Sequence, residues 1–317
     1  MIGNILLLII GFVLLIKGAD FFVDGASSTA QNFKVPKMLI GLTIVAFGTS
    51  APEFAVSMSA LAANSTDMVL GNVIGSNILN ILLILGMAAV IHPISIKDNT
   101  VKKELPLTML ISTLLVVLFL DTRLGNGNIN QISRGDGLVI LLFFSVFMYY
   151  LLSIAKKKQQ PQEDEKPPMS LLKSILFIII GLLGIILGSN FVVDNATSIA
   201  SMLGISQRVI SLTVIAFGTS LPELVTTIVS SKKGEQDLLV GNIIGSNIFN
   251  ICVVLGIPVT IFGSVTPASF QPLDLIALVV SAILLFLFSS SSRKITKKEG
   301  IFMLLLFTIY YTIVAIA

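Results

Sequence analysis

The sequence has little charge, one histidine (His92), one cysteine (Cys252) and no tryptophan. Asp, Glu, Lys and Arg make up 12% of its 317 residues, about half of the roughly 25% found in soluble domains, so a soluble globular protein is excluded. A lone cysteine excludes a disulfide framework, and a lone histidine excludes a multi-histidine metal site. The net charge of +3 does not indicate a nucleic-acid partner, because the basic residues lie at the ends of apolar segments.

Long apolar segments dominate what is present: 55% of the residues are hydrophobic and the mean hydropathy is +0.98. A transmembrane helix needs about 20 apolar residues, and breaks in the apolar pattern predict an all-α polytopic membrane protein with ten such helices. Too little chain remains for a folded domain outside the membrane. The helices are predicted at 3–31, 38–64, 67–91, 104–121, 135–155, 170–200, 208–231, 237–262, 271–290 and 300–316.

The basic residues fall on alternate loops, 16 on one set and three on the other, with Lys17 inside the first span. Because cytoplasmic loops are enriched in Lys and Arg, the set of 16 is predicted to be cytoplasmic and both termini extracellular. We expect a multi-pass protein of the cell membrane, surrounded by lipid. The smaller set is Arg123, Arg134 and Arg208.

A polar segment at 156–168 divides the chain into two parts, 1–155 and 169–317. It contains no large apolar residue that could contribute to a core, so it is predicted to be a cytoplasmic linker. Each part has five predicted helices. An odd number means that the second half enters the membrane inverted relative to the first.

The two halves repeat each other at a spacing of 170 residues. Residues 41–56 are GLTIVAFGTSAPEFAV and residues 211–226 are SLTVIAFGTSLPELVT; between 41–86 and 211–256, 21 of 46 positions are identical without a gap. Residues 18–28 and 188–198 match as well. Two inverted-topology five-helix repeats are typical of a secondary transporter whose substrate site lies where the repeats meet.

Each repeat has a glutamate, Glu53 or Glu223, in the middle of an apolar helix. An ionised carboxylate in lipid costs at least about 2.5–3.5 kcal/mol, so it must face the protein interior and meet a cation, a proton or a basic partner. No basic residue lies in the predicted spans around them. A bound cation therefore explains these glutamates better than a buried salt bridge.

Pro52 and Pro222 immediately precede the glutamates. Because proline has no N–H, the carbonyls of Gly48 and Gly218 lose their helical partners. Broken helices at membrane depth are tolerated where they line a cavity, and freed carbonyl oxygens are hard ligands. Hydroxyl groups on the same turn add further oxygens; they belong to Thr49, Ser50, Thr219 and Ser220.

The following helices carry polar residues at i, i+4 and i+8, which places them in one stripe. Every donor in this inventory is an oxygen, which suits Ca²⁺ or Na⁺ and argues against zinc or copper. Asn72 and Asn242 are equally consistent with hydrogen bonds between helices. The stripes are Asn72, Ser76 and Asn80 in the first half and Asn242, Ser246 and Asn250 in the second.

The motifs GTSAPE and GSNILN, repeated as GTSLPE and GSNIFN, resemble those of the cation/calcium antiporter superfamily, and specifically a prokaryotic sodium/calcium exchanger. The resemblance covers essentially the whole chain. It implies alternating access, in which two long helices slide past an eight-helix core, and about three Na⁺ moved in for one Ca²⁺ moved out. It implies metal ligands at Ala46, Thr49, Ser50, Glu53, Ser76, Asn80, Ala216, Thr219, Ser220, Glu223, Ser246 and Asn250, with the alanines acting through their carbonyls.

Asn250 distinguishes branches of this family. Some prokaryotic members and the potassium-dependent members carry aspartate at that position, and the potassium-independent animal exchangers carry asparagine, so the resemblance favours potassium-independent exchange. Proton-coupled relatives typically carry a glutamate soon after Gly-Asn, whereas Gly71-Asn72 and Gly241-Asn242 are followed by apolar residues. A proton-coupled or potassium-dependent antiporter is the alternative. We expect no enzymatic activity, no cofactor and no protein partner, and function as a monomer.

Overall fold

The computed structural model describes residues 1–124, 129–156, 168–204, 216–266 and 272–316, which are mostly helical. A two-stranded antiparallel pair, β1 (Ile94–Ser95) and β2 (Lys294–Ile295), joins two loops. The helices are α1 Ile2–Phe33, α2 Lys37–Thr49, α3 Ala51–Ala62, α4 Thr66–Ile91, α5 Leu105–Phe119, α6 Asp121–Leu124, α7 Arg134–Ala155, α8 Leu171–Met202, α9 Ala216–Gly218, α10 Leu221–Lys232, α11 Gln236–Phe262, α12 Pro272–Ser292 and α13 Lys297–Ile316.

Six described helices are long and apolar enough to cross a membrane: α1, α4, α7, α8, α11 and α12. The bent pair α2 and α3 makes a seventh if it is one span, so the prediction of a helical membrane protein is confirmed. The count of ten crossings stays a prediction: α5 has 15 residues, α10 has 12, and residues 208–215 of the predicted seventh span lie outside the described residues.

Several helices contain π-helical turns, in which the backbone hydrogen bond spans one residue more than in an α-helix. One is Gly41–Val45 in α2, and another, Thr100–Glu104, leads into α5. Leu79–Leu85 in α4 and Asn250–Leu255 in α11 overlap when shifted by 170 residues. Helical backbone runs into α5 from Asp98, six residues before the predicted start of that helix at residue 104.

The two long helices, α1 and α8, pack antiparallel along a seam of glycines spaced seven residues apart. A Cβ atom built on Gly18 would lie 2.7 Å from the Ile185 backbone nitrogen, and one on Gly188 would lie 2.6 Å from that of Leu15. Such distances are shorter than any van der Waals contact, so the backbones touch directly, as small residues allow in membranes. The seam consists of Gly11, Gly18 and Gly25 in α1, facing Gly188, Gly181 and Ser174 in α8.

The helices α4 and α11 lie at the centre of the bundle. In their most apolar stretches 72% and 100% of residues are buried, against 28% in α1 and 22% in α8. The helix α2 approaches α11 closely, because a Cβ on Gly41 would lie 2.8 Å from the carbonyl oxygen of Leu238. The polar residues midway along α4 and α11 are therefore buried, whereas α1 and α8 present apolar side chains to the outside; those residues include Ser76, Asn80, Ser246 and Asn250.

Loops meet in two groups, one at each end of the bundle. At one end β1 pairs with β2, and Lys37 and Lys97 reach Glu235 and Asp237, the acids flanking the start of α11. At the other end residue 132 pairs with residue 265. The predicted alternation of lysine-rich and lysine-poor loops is thus present at these described loops. Residues 157–167 of the predicted linker lie outside the described residues.

Candidate cation site

Two helix breaks carry the repeated glutamates. The chain bends by 46° between α2 and α3 at Ser50, whose backbone angles are φ −84° and ψ 5°, and Ser220 before α10 has nearly the same angles, −90° and 5°. Pro52 and Glu53 stand in the first turn of α3, as Pro222 and Glu223 do in α10. The predicted breaks are therefore present, and each glutamate lies where a helix N-terminus stabilises negative charge.

The carbonyls near the breaks are partly engaged. The carbonyl of Gly218 accepts a hydrogen bond from the Ser189 hydroxyl of α8 at 2.9 Å, which engages one of its two lone pairs. The Ala46 carbonyl accepts from the Ser50 amide at 3.0 Å and from the Thr49 hydroxyl at 3.3 Å. Ala216, its mate, is the first residue of α9.

Both glutamates are fully buried, and each accepts a hydrogen bond from the other half of the chain. The hydroxyl of Ser50 donates to Oε1 of Glu223 at 3.0 Å, and that of Ser220 donates to Oε1 of Glu53 at 3.3 Å. The two bonds correspond when positions are shifted by 170 residues. The carboxylates are therefore parts of one site to which both halves contribute.

Further hydroxyls surround the carboxylates. Ser246 of α11 lies 3.5 Å from Oε1 of Glu223 and 3.4 Å from the Thr49 hydroxyl. Its mate Ser76 in α4 lies 3.4 Å from the hydroxyl of Ser220, and Thr219 is a hydrogen-bond neighbour of Glu53. The structure thus brings the predicted serines and threonines of both halves into one buried cluster.

Four oxygens of the predicted ligand residues have no hydrogen-bond partner within the described chain, although all are buried: Oε2 of Glu53, Oε2 of Glu223, Oδ1 of Asn80 and Oδ1 of Asn250. The described residues form no ion pair with either glutamate and contain no group of three or more His, Cys, Asp or Glu side chains suited to a metal. An uncompensated buried carboxylate is costly, so the two carboxylates require a cation or a proton. The two amide oxygens are neutral and available as further ligands.

Asn72 and Asn242, which the sequence left open, make hydrogen bonds between helices. The Asn72 amide donates to the Glu53 carbonyl at 3.0 Å and to the Ser57 hydroxyl at 2.9 Å. Asn242 accepts from the Thr49 hydroxyl at 3.0 Å through its Oδ1. Both residues therefore attach the broken helices to the central ones.

Sequence reasoning missed Asn77 and Asn247, which lie beside the site. The amide of Asn80 donates to Oδ1 of Asn247, and that of Asn250 donates to Oδ1 of Asn77, both at 3.2 Å. The signal was present, because both asparagines belong to the repeated Gly-Ser-Asn motif. They were overlooked because they do not share the stripe of Ser76 and Asn80 on an ideal α-helix.

Comparison with known proteins gives matches along nearly the whole chain. The family described as sodium/calcium exchanger protein matches residues 3–153 and 173–316. The chain is 39% identical to CaxA of Alkalimonas amylolytica over 305 residues, 95% of each protein. It is 30% identical to the sodium/calcium exchanger MaX1 of Methanosarcina acetivorans over 347 aligned positions, 98% of each protein.

A solved structure of the sodium-calcium exchanger NCX_Mj superimposes with a TM-score of 0.83 at 34% identity. The match covers 98% of this chain and 97% of NCX_Mj. Because the match extends over nearly the whole chain in both sequence and structure, the chain belongs to the sodium/calcium exchanger family of membrane transporters.

Proposed function

We propose that this protein exchanges Na⁺ for Ca²⁺ across the cell membrane by alternating access. The observation that carries the proposal is the set of four buried, unpartnered oxygens on Glu53, Glu223, Asn80 and Asn250. Two carboxylates provide a formal charge of −2, which matches one Ca²⁺. Calcium takes six to eight oxygen ligands at about 2.3–2.6 Å, and the surrounding hydroxyls and carbonyls extend the set towards that number.

The proposed ligands are six positions in each half, related by the 170-residue repeat. The crossed bonds from Ser50 to Glu223 and from Ser220 to Glu53 support one shared site. The alanines would bind through their backbone carbonyls. The full set is Ala46, Thr49, Ser50, Glu53, Ser76 and Asn80, with Ala216, Thr219, Ser220, Glu223, Ser246 and Asn250.

The proposed architecture is ten transmembrane helices in two inverted five-helix repeats, residues 1–155 and 169–317, acting as a monomer. The termini lie outside the cell, and the 156–168 linker lies in the cytoplasm. Cysteine introduced at Lys158 should label only from the cytoplasm and cysteine at Gly125 only from outside, after Cys252 is replaced. Labelling of each from the opposite side would invert the orientation.

The exchange is proposed to move charge. Three Na⁺ against a site charge of −2 leave one positive charge, worth about 2.3 kcal/mol per 100 mV. An inside-negative potential should then drive sodium entry and calcium exit. Asn250 leaves no third carboxylate in the site, which supports exchange without potassium.

The test is Ca²⁺ uptake into proteoliposomes with sodium, potassium and proton gradients imposed one at a time. We expect an outward sodium gradient alone to drive uptake, and the rate to depend on a potential set without potassium. Uptake driven only by a proton gradient, or only with potassium present, would establish one of the alternative couplings. Voltage-independent exchange would indicate two Na⁺ per Ca²⁺.

A further inference from the structure

Two asparagine pairs cross between the halves, and each includes a residue one helical turn beyond a serine of the cluster, Asn80 after Ser76 or Asn250 after Ser246. The Nδ2 of Asn80 donates to Oδ1 of Asn247, and the Nδ2 of Asn250 donates to Oδ1 of Asn77. Shifting positions by 170 residues converts one pair into the other, and both bonds are 3.2 Å long. All four side chains are 1% exposed, so water does not compete for these amides.

A primary amide has its donor nitrogen and its acceptor oxygen on opposite sides. Once the nitrogen of Asn80 is held by Asn247, its oxygen must point the other way, and that Oδ1 has no partner within the described residues. The same holds for Asn250 and Asn77. A rotation by 180° would instead direct N–H groups at any bound cation, which they would repel.

We infer that Asn77 and Asn247 are positioning residues that orient the carbonyl oxygens of Asn250 and Asn80 towards the transported cation. This inference rests on the proposed function, because it requires a cation at the site. Each half of the molecule orients a ligand that the other half supplies. Neither Asn77 nor Asn247 touches the cation itself.

The two positioning residues are not held equally. Asn77 also donates through its Nδ2 to the backbone carbonyl of Asn247 at 3.3 Å. The Nδ2 of Asn247 has no hydrogen-bond partner among the described residues. The Asn77 side chain therefore makes two hydrogen bonds and the Asn247 side chain makes one. Loss of Asn77 should consequently disturb the backbone at Asn247 as well as the Asn250 side chain.

The experiment is a double-mutant cycle read by cation binding, so that it does not depend on transport. The rise in Tm of purified protein is measured while Ca²⁺, Sr²⁺, Na⁺ and K⁺ are titrated separately. Asn247→Leu should raise the half-saturating Ca²⁺ concentration by roughly three- to tenfold, as expected for one lost hydrogen bond. Asn195→Leu, which removes a buried asparagine of α8, should leave that concentration unchanged.

The crossed pattern distinguishes positioning from a structural role. Asn247→Leu should have no further effect once Asn80→Leu is present, yet should retain its effect in an Asn250→Leu background. Asn77→Leu should have no further effect once Asn250→Leu is present, yet should retain its effect in an Asn80→Leu background. Additive effects in all pairs, or coupling within one half, would overturn the inference. If a leucine variant does not fold, the alanine variants complete the cycle.

The same measurement separates this inference from the proposed function. If the wild type binds Ca²⁺ and shows the crossed coupling but no sodium-driven uptake, the positioning stands and the exchange function fails. If exchange is present without crossed coupling, only the positioning is refuted. If no cation stabilises the wild type, both are refuted.

Discussion

The two halves of the molecule correspond closely where they meet and differ where they end. At the centre, the bonds from Ser50 to Glu223 and from Ser220 to Glu53 are mates under the 170-residue shift. The glycine seam has the same symmetry, since Gly18 lies against Ile185 and Gly188 against Leu15. The buried hydroxyl–carboxylate bonds and the contact between the long helices therefore use both copies of the repeat in the same way.

The ends of the bundle do not share this symmetry. At the lysine-rich end, Lys233 contacts Asp24 of α1 at 2.7 Å and Asp20 at 3.5 Å. Glu235 accepts from the Ser27 hydroxyl of α1 at 2.8 Å and pairs with Lys37 at 3.0 Å. These contacts connect α1 to the loop between α10 and α11.

The matching loop at the other end has no such charges. The repeat mates of Lys233 and Glu235 are Ala63 and Ser65, neither of which can form an ion pair. The comparison teaches that the buried cluster uses both halves in the same way, whereas the charged contacts between the halves occur at one end of the bundle and have no counterpart in the matching loop.

The largest expected effect comes from the central carboxylates. Glu53→Gln and Glu223→Gln should each reduce calcium exchange to background while leaving the fold intact, because a neutral amide is easier to bury than a carboxylate. The measurement is Ca²⁺ uptake by folded protein in proteoliposomes. The matched control is Glu104→Gln, a buried glutamate that accepts from the Tyr150 hydroxyl outside this site, and it should retain exchange. Substantial uptake by either site variant would contradict the equivalence of the two halves.

The glycine seam should give the next largest effect. Gly18→Ala and its mate Gly188→Ala place a methyl group under 3 Å from backbone atoms of the opposite helix. Overpacking of this kind costs about 1–3 kcal/mol, so both variants should lower Tm by similar amounts. Gly3→Ala in the same helix as Gly18 has no atom within 4 Å of its new methyl group and should leave Tm unchanged. A clearly larger fall in Tm for one variant than for the other would show that the two glycines contribute unequally to stability, although their contacts are similar.

A third carboxylate should break the symmetry of the centre. Asn250→Asp adds a negative charge beside Glu53 and Glu223, and that charge must be balanced by a proton or by tighter cation binding. We therefore expect exchange by this variant to become more sensitive to acid pH than in the wild type. Asn80→Asp, its mate, should show the same change. The measurement is the pH profile of Ca²⁺ uptake for both variants, and an unchanged profile in both would contradict the placement of these amides beside the carboxylates.

The smallest effect is expected at the lysine-rich end. Lys233→Gln removes ion pairs that are partly exposed, and such pairs contribute about 0.2–1 kcal/mol. Hydrogen exchange of residues 20–33 should rise by no more than about fivefold, and high salt should produce a similar rise in the wild type. Lys232→Gln is the control, because Lys232 is exposed and forms no ion pair with the described residues. Equal effects of both variants would remove the asymmetry proposed for this end.

The internal repeat allowed many of the candidate site residues to be predicted from the sequence. Glu53, Ser50 and Ser76 were identified because an apolar helix carries such residues twice, 170 positions apart, and chance does not preserve them. The helix breaks followed from Pro52 and Pro222, since a missing N–H has a fixed consequence for the backbone.

Other features depend on contacts that no local pattern encodes. Asn77 lies off the predicted polar stripe, and the π-helical turn that begins at Leu79 changes which residues share a face. The carbonyl of Gly218 is bonded by Ser189 from a distant helix. The corresponding carbonyl in the first half is that of Gly48. The residue that corresponds to Ser189 is Ala19, which has no hydroxyl group to donate.

The glycine seam also constrains how the protein is made. In the folded protein α8 covers the glycine face of α1, and the ribosome must add 169 residues between Phe33 and Met202 before α8 is complete. At about 5–20 residues per second, this takes roughly ten to thirty seconds. While the first half is being translated, α8 does not yet exist, so the glycine face of α1 has not met its partner. A chain truncated after residue 155 would keep that face open, so final assembly of the first half requires synthesis of the second.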